Sequence, residues 1–147
     1  MKMTYKDMAR KLRPYCKIRI YSKNPSNIED VGGYFFYNIN IIEIYVGNRN
    51  NLEVSASIVH EFAHYLTRHY INEFQDICFS NCVGSFFPEN EIIAEEVTKI
   101  VMKKLGWIGK FPMPKYPFEK SRYMKYKRKY ETLIKLTAST ILTIIKG

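Results

Sequence analysis

The segment SIVHEFAHYL, residues 57–66, lies at the centre of an amphipathic pattern in the chain. Apolar residues recur around it at helical spacing, which predicts a helix from about residue 51 to residue 70 with one face against a core. Asn50 is placed to cap its first turn, and Glu53, three residues later, completes the sequence pattern of a capping box. The predicted core stripe consists of Val54, Ile58, Val59, Phe62, Ala63 and Leu66.

Within this helix, His60, Glu61 and His64 form an HExxH motif. Residues four apart lie one turn apart on the same helix face, so both imidazoles can bind one metal ion. Glu61 is turned by about 100° around the helix axis. It is therefore near the ion but not on it, where it can accept a proton from water. Zinc acidifies its bound water and polarises a peptide carbonyl, so the motif predicts Zn²⁺ as the cofactor and peptide hydrolysis as the reaction.

A catalytic zinc needs a third protein ligand besides the two histidines. The one other histidine, His69, lies five residues after His64 and lacks the intervening glycine that turns the chain in sites with three histidines. The next predicted helix carries Glu91 and Glu95 four residues apart, and so on one face beside its apolar stripe. Two carboxylates on a buried helix face need a compensating cation, which zinc would supply. The further alternatives for the third ligand are Glu73, Asp76, Glu89 and His69.

The HExxH motif and the later stretch ENEIIAEEVTKIV, residues 89–101, together resemble the ImmA/IrrE-type metallopeptidases and, more loosely, the wider gluzincin peptidases. That family pairs HExxH with a downstream helix that reads roughly E-x-E-A-N/D-x-F-A. Aligning Ala94 with the alanine of this pattern puts Glu91 on the family's zinc-ligand glutamate. The resemblance implies that His60, His64 and Glu91 bind zinc. Glu95, at the Asn/Asp position, is then expected to orient a ligand from outside the coordination sphere.

The resemblance covers about residues 30–106, and the chain departs from the family pattern within it. Ile93 replaces the second glutamate, Glu95 replaces Asn or Asp, and Thr98 replaces the second alanine. In this family an aromatic-rich strand before the HExxH helix lines the cleft, where an extended peptide adds to the sheet edge; residues 34–46 hold the matching position. The resemblance also implies a regulatory peptidase that cuts a particular protein, such as a DNA-binding repressor.

The remaining patterns predict an α+β fold with a small mixed or antiparallel sheet beside the HExxH helix, which the resemblance makes a minimal zincin-like domain. Residues 3–13 predict a short helix capped by Thr4, and residues 17–22 alternate as a strand does. The aromatic and β-branched residues 34–46 predict either one long strand or a hairpin that turns near residues 38–40.

The glutamate-bearing helix is predicted to begin at Pro88 and to end before Gly106. Glu89 and Glu96 are expected on its solvated face. Between the two site helices, residues 71–87 are mixed and read as a loop. We expect the metallopeptidase domain to span residues 1–109.

Positive charge is concentrated in residues 110–147, which hold 10 basic and 2 acidic side chains, against 13 and 12 in residues 1–109. A proline-containing connector and a basic C-terminal helix, about residues 119–145, are predicted there, docked on the same domain. The basic stretch 115–129 contains tyrosines at helical spacing, which fits nucleic-acid or other polyanion contact, a solvated helix packed on the core, or a membrane-surface helix.

Composition limits the class of protein. A chain of 147 residues with 46% hydrophobic and 25% charged residues predicts one folded, soluble domain. The first residues lack an apolar signal-peptide core, and no stretch is long and apolar enough for a transmembrane helix, so a cytoplasmic location is expected. Three cysteines do not form a disulfide framework, and the pair Cys78 and Cys82 supplies only two metal ligands.

The sequence therefore predicts a zinc-dependent endopeptidase of narrow, regulatory specificity that acts on a protein or peptide substrate. Two rival classes stay open. One is a nucleic-acid-associated protein with a structural or vestigial zinc site. The other is a DNA-targeted peptidase of the SprT-like kind, which normally uses a third histidine well downstream; none follows His69. Oligomeric state is not determined by these patterns.

Overall fold

The chain folds as an α+β protein. The structure is a computed structural model, and it describes residues 3–23, 32–68, 88–107 and 120–147. These residues form five helices and one three-stranded sheet. The helices are α1 (Tyr5–Leu12), α2 (Asn51–Thr67), α3 (Pro88–Lys104), α4 (Lys120–Lys129) and α5 (Glu131–Lys146), and the strands are β1 (Lys17–Tyr21), β2 (Gly33–Phe36) and β3 (Ile41–Tyr45).

The sheet is mixed, with β3 in the middle. Strand β1 pairs with β3 in parallel, so that Ile18 lies opposite Ile42, and β2 pairs with β3 antiparallel, so that Phe35 lies opposite Ile42. The hairpin alternative for residues 34–46 is confirmed. Its turn contains Asn40 with a φ of 52°, a left-handed conformation that asparagine tolerates better than most residues.

Helix α2 begins as the sequence predicts. The Asn50 side chain accepts from the backbone N–H of Glu53, and the Glu53 side chain accepts from the backbone N–H of Asn50, which completes the capping box. The predicted stripe is buried from Val54 to Ala63, and Leu66 packs at its margin. The helix ends at Thr67, whereas residues 69 and 70 lie outside the described parts of the chain.

Helix α3 also has the predicted bounds, from Pro88 to Lys104, with Gly106 just beyond it at a φ of 88° that favours glycine. It packs against α2, α4 and α5. The core combines apolar side chains of the sheet and of four helices, with these fully buried members: Met8, Leu12, Ile42, Ile44, Ile58, Phe62, Ile93, Val97, Met102, Ile141 and Ile145.

The prediction of one continuous C-terminal helix is wrong, because the chain breaks at Tyr130 between α4 and α5. Both helices pack on α3. In α4, Tyr123 contacts Glu96, whereas Tyr130 contacts Glu89 in the first turn of α3. From there α5 runs along α3 until its last residues lie in one groove with Lys104. The change of backbone conformation at Tyr130, whose φ and ψ are −106° and 18°, lets Tyr123 of α4 and the apolar stripe of α5 both pack on α3.

The expected solvated position of Glu96 is also wrong. Its side chain is buried and accepts a hydrogen bond from Tyr123, and it pairs with Lys99 and Lys127. Three donors around one carboxylate offset the cost of its burial, which is why this charge can sit between two helices. Among the helices of the described ranges, none has the length and the apolar run that a membrane crossing needs.

Candidate metal centre

Two histidines on α2 form one side of the candidate site. His60 and His64 lie one turn apart, and their Nε2 atoms are 3.3 Å apart. Both rings are held by the helix, whose opposite face is anchored in the core through Val59, Phe62 and Ala63. The spacing that the sequence predicted for two imidazoles on one face is therefore present in the fold.

Glu91 completes the group from the first turns of α3. Its Oε2 lies 3.1 Å from Nε2 of His60, and its Oε1 lies 3.0 Å from Nε2 of His64. The ligand atoms of these three residues all lie within 4.8 Å of one another, so the group could hold a metal ion. The side chains of His60 and Glu91 are 16% and 27% exposed, so the cluster is not sealed from solvent.

These three residues could hold a metal ion, and zinc stays the prediction of the sequence. Nitrogen and oxygen ligands about 2.0–2.1 Å from a tetrahedral zinc lie roughly 3.3–3.4 Å from one another. The Nε2 atoms of the two histidines, 3.3 Å apart, match that value, whereas the 3.1 and 3.0 Å contacts to Glu91 are made by two different oxygens of its carboxylate. Two imidazoles and one carboxylate are also a ligand set of catalytic zinc sites, which leave a further position open.

The charges of His60 and Glu91 stabilise each other. Burial lowers the pKa of His60, but the charge and the hydrogen bond of Glu91 outweigh it and raise that pKa to about 9. Burial would raise the pKa of Glu91, but the two histidines hold it well below its usual range. The carboxylate is thus ionised and depends on positive charge beside it, which either a protonated imidazole or a metal cation provides.

Glu95 lies on the far side of His60. Its Oε2 is 3.7 Å from the Nδ1 atom of that ring, beyond hydrogen-bond distance, and its side chain is buried. Burial raises the pKa of Glu95, while His60 and Lys99 act in the opposite direction. The structure therefore places Glu95 against the outer nitrogen of a histidine, and Glu91 supplies the carboxylate of the three-residue group.

Glu61 points from α2 towards the edge of the sheet. Its carboxylate accepts a hydrogen bond from the backbone N–H of Phe35 in β2. Burial raises its pKa, and Glu91 adds to this effect, whereas the two histidines oppose it. A carboxylate whose pKa is raised towards neutrality is a better proton acceptor than an ordinary glutamate.

Gly33 lets β2 approach Glu61. A Cβ atom at this position would lie 2.8 Å from the backbone oxygen of Glu43, 2.8 Å from Cδ1 of Ile44 and 3.4 Å from Cγ of Glu61. The first two distances are shorter than ordinary contacts, so a larger residue would push the strand outward. The glycine is thus required by the close approach of β2 to β3, which keeps β2 beside Glu61.

Arg49 links the same strand to α2 by hydrogen bonds. The sequence analysis did not identify this residue. Its guanidinium donates to the backbone oxygen of Gly32 at 2.8 Å, to that of Tyr45 and to the hydroxyl of Ser57. One side chain thereby joins the start of β2, the end of β3 and the helix that carries the histidines. The sequence gives no signal for it, because its acceptors are mostly backbone oxygens far apart in the chain.

One further predicted ligand candidate, Glu89, is described by the structure, and it does not join the cluster. Glu89 accepts a hydrogen bond from Tyr130 instead. His69, Glu73, Asp76, Cys78 and Cys82 lie outside the described residues. No protein-family model, curated protein or solved structure matches the chain. The interpretation of the site therefore rests on its own residues.

Proposed function

We propose that the protein is a zinc-dependent endopeptidase of narrow specificity. The observation that supports this most directly is the convergence of His60, His64 and Glu91, with donor atoms 3.0 to 3.3 Å apart, beside Glu61. In this proposal the first three residues hold the ion and Glu61 handles protons. When bound, zinc would polarise the carbonyl of a peptide bond and acidify water.

Glu61 acts as general base and then as general acid. Its carboxylate takes the proton of the attacking water and delivers it to the nitrogen of the leaving amine. The Phe35 N–H holds the carboxylate in place during both transfers. The raised pKa of Glu61 supports this role, because the group must both accept and release a proton near neutral pH.

The edge of the sheet supports an extended peptide as the substrate. The Tyr45 N–H donates to the oxygen of Gly32, so these two residues form a hydrogen-bonded pair between β3 and the start of β2. Hydrogen-bonded pairs alternate along antiparallel strands. The backbone N–H and C=O groups of Gly33 and Phe35 therefore point away from β3. The Phe35 N–H donates to Glu61, so the backbone groups of Gly33, which lie beside Glu61, are the ones that an added strand would meet next to the carboxylate. A peptide that adds to this edge as a strand would bring its scissile bond close to the general base.

The sequence resemblance suggests one particular protein, such as a DNA-binding repressor, as the natural substrate. A regulatory peptidase of this kind does not need a cleft that binds peptides of any sequence. The proposal therefore predicts weak cleavage of arbitrary peptides and strong preference for a small set of sequences.

Zinc content and cleavage, measured together, test the proposal. The native chain and the variants Glu61→Gln and Glu91→Ala are purified, reconstituted with zinc and assayed for metal per chain. Each is then incubated with a peptide mixture derived from a whole proteome, and new termini are identified by mass spectrometry. We expect about one zinc per chain in the native protein and in Glu61→Gln, and weakened zinc binding in Glu91→Ala. New termini should require both zinc and Glu61.

Two results would count against the proposal. Absence of zinc binding after reconstitution would reduce the cluster to a buried ion pair. Cleavage that persists unchanged in Glu61→Gln would remove the assigned general base.

A further inference from the structure

Helix α4 carries the densest positive charge in the described structure. Its sequence, KSRYMKYKRK, contains six basic residues and no acidic one. Among the described residues, no ion pair involves Lys120, Lys125, Arg128 or Lys129, and all four are exposed. Like charges on neighbouring turns of one helix repel one another.

Two tyrosines of this region, Tyr123 and Tyr130, face the opposite way. The hydroxyl of Tyr123 donates to Glu96, and the hydroxyl of Tyr130 donates to Glu89. Lys127 pairs with the second oxygen of Glu96 at 3.1 Å. These contacts use one face of α4 to dock it on α3, and they leave the cationic face outward.

The outward residues form one row along the helix. Ser121, Met124, Lys125, Arg128 and Lys129 line a single open groove, at the spacing of three and four residues that places side chains on one helix face. Successive turns are about 5.4 Å apart, so the row offers a cation or a hydroxyl at each turn over the length of the helix.

We propose that this row, which we name the α4 basic face, binds the phosphate backbone of double-stranded DNA. The complementary partner must be an anion whose charges repeat along a line and which needs no apolar contact. Phosphates of a duplex meet both conditions, and Lys and Arg are the usual contacts to them.

Two other polyanions fit the α4 basic face less well. A membrane-surface helix buries an apolar face among lipids, but Tyr123 of α4 is engaged with α3, and Met124 is the one apolar residue in the outward row. Single-stranded nucleic acid is held largely by stacking of bases on aromatic rings. The hydrogen-bonded Tyr123 and Tyr130 are turned inward and offer no such platform.

Contact between the DNA and the α4 basic face does not require the metal centre. Helix α3 packs against α2 through Glu91 and against α4 through Glu96, so the two features lie on different sides of it. DNA binding and zinc binding should therefore be separable by mutation, and this inference does not rest on the proposed peptidase activity.

Fluorescence anisotropy with a labelled duplex of arbitrary sequence tests the inference. The full chain is titrated at several salt concentrations, and the triple variant Lys125→Gln, Arg128→Gln, Lys129→Gln is compared with it. The matched control is Lys6→Gln, Lys17→Gln, Lys103→Gln, which removes the same charge from exposed positions outside α4. The same protein samples are titrated with oligo(dT) and with vesicles containing phosphatidylserine.

Binding that falls steeply with salt is expected for the native chain. Each lost phosphate contact should make the slope of log K against log salt shallower by about 0.9, so the triple variant should lose about 2 to 3 units of slope and about tenfold or more in affinity. The control should retain the native slope. The single variants Lys125→Gln and Arg128→Gln should each lose about one unit, which keeps the test valid if the triple variant folds poorly.

Any of four results would overturn the proposal: no duplex binding by the native chain, equal losses in the variant and the control, tighter binding to oligo(dT) than to duplex, or binding to vesicles alone. Equal losses would show that the overall charge acts without a specific surface. The last two would identify a stacking surface and a lipid surface, respectively.

Discussion

The Nδ1 atom of His60 lies 3.7 Å from Oε2 of Glu95, while Nε2 of the same ring lies 3.1 Å from Glu91. The imidazole is therefore placed between two carboxylates of one helix. At 3.7 Å the Glu95 carboxylate acts on the ring by its charge and not by a hydrogen bond; this charge favours a proton on the outer nitrogen and leaves the inner nitrogen to bind an ion. This arrangement gives two neighbouring glutamates different roles, one facing the proposed ion and one behind a ligand.

Replacing Glu95 with Gln should weaken zinc binding without abolishing it. An amide keeps the size of the side chain but loses the charge, so we expect zinc affinity to fall about 10- to 100-fold. Competition with a chromophoric chelator measures the affinity. Glu91→Gln is the matched control, because it makes the same chemical change one turn earlier and should cost more. A larger loss in the Glu95 variant would reverse the two roles.

Zinc should stabilise the native chain because its proposed ligands join α2 to α3. A ligand that binds only the folded state at 100 times its dissociation constant adds about 2.7 kcal/mol to the free energy of unfolding. We expect Tm to rise with zinc and to return after chelation, as followed by circular dichroism. The His64→Ala variant should show little rise. An equal rise in that variant would locate the bound ion elsewhere in the chain.

Gly33→Ala should impair the site through the strand. The added methyl would lie 2.8 Å from the backbone oxygen of Glu43 and 2.8 Å from Cδ1 of Ile44, so β2 must shift relative to β3 and lose its position beside Glu61. Overpacking of this kind costs about 1–3 kcal/mol. We expect a reduced free energy of unfolding in denaturant titrations and reduced cleavage, with zinc still bound.

A second glycine provides the control for that experiment. At Gly106 an added Cβ meets no atom within 4 Å, but its φ of 88° disfavours alanine. Gly106→Ala should therefore cost about 1 kcal/mol of stability while cleavage stays at the native level. Equal loss of cleavage in both variants would mean that reduced stability, and not the position of β2, explains the effect.

Local sequence signals predicted the parts of the fold that depend on neighbouring residues. The capping box of Asn50 and Glu53, the start of α3 at Pro88 and the turn near Asn40 are set by contacts within a few positions. The proximity of His60 and His64 follows from helix geometry alone. The predicted approach of Glu91 relied on a family resemblance, and the fold brings that residue to both histidines.

Features that depend on distant partners were missed. Glu96 looks like a surface residue in the sequence, because only the return of α4 covers it with Tyr123 and Lys127. The sequence around Tyr130 contains no glycine or proline that would predict a helix break there. Arg49 is likewise indistinguishable from a surface cation until its acceptors are assembled.

The buried carboxylate of Glu96 should make stability depend on pH in the acid range. Burial would raise its pKa, but hydrogen bonds from Tyr123, Lys99 and Lys127 lower it more, so the net pKa lies below the usual glutamate range. A depressed pKa in the folded state contributes stability that is fully present above the unfolded value, about pH 4.3. That stability is lost as pH falls through the lower, folded-state pKa.

Tyr123→Phe removes one of these donors, and it should lower the free energy of unfolding by about 1.5–3 kcal/mol at neutral pH, as expected for a hydrogen bond to a charged acceptor. The difference from the native chain should shrink as pH falls below about 4.3, because protonation of Glu96 weakens the same interaction in both proteins. Denaturant titrations between about pH 3 and 7 measure it. Tyr15→Phe is the matched control: this side chain is 54% exposed, so the loss of its hydroxyl should change stability little at any pH. A loss in Tyr123→Phe that stays constant across the range would mean that the hydroxyl stabilises the fold independently of the charge of Glu96, and that charge would then not be what holds α4 on α3.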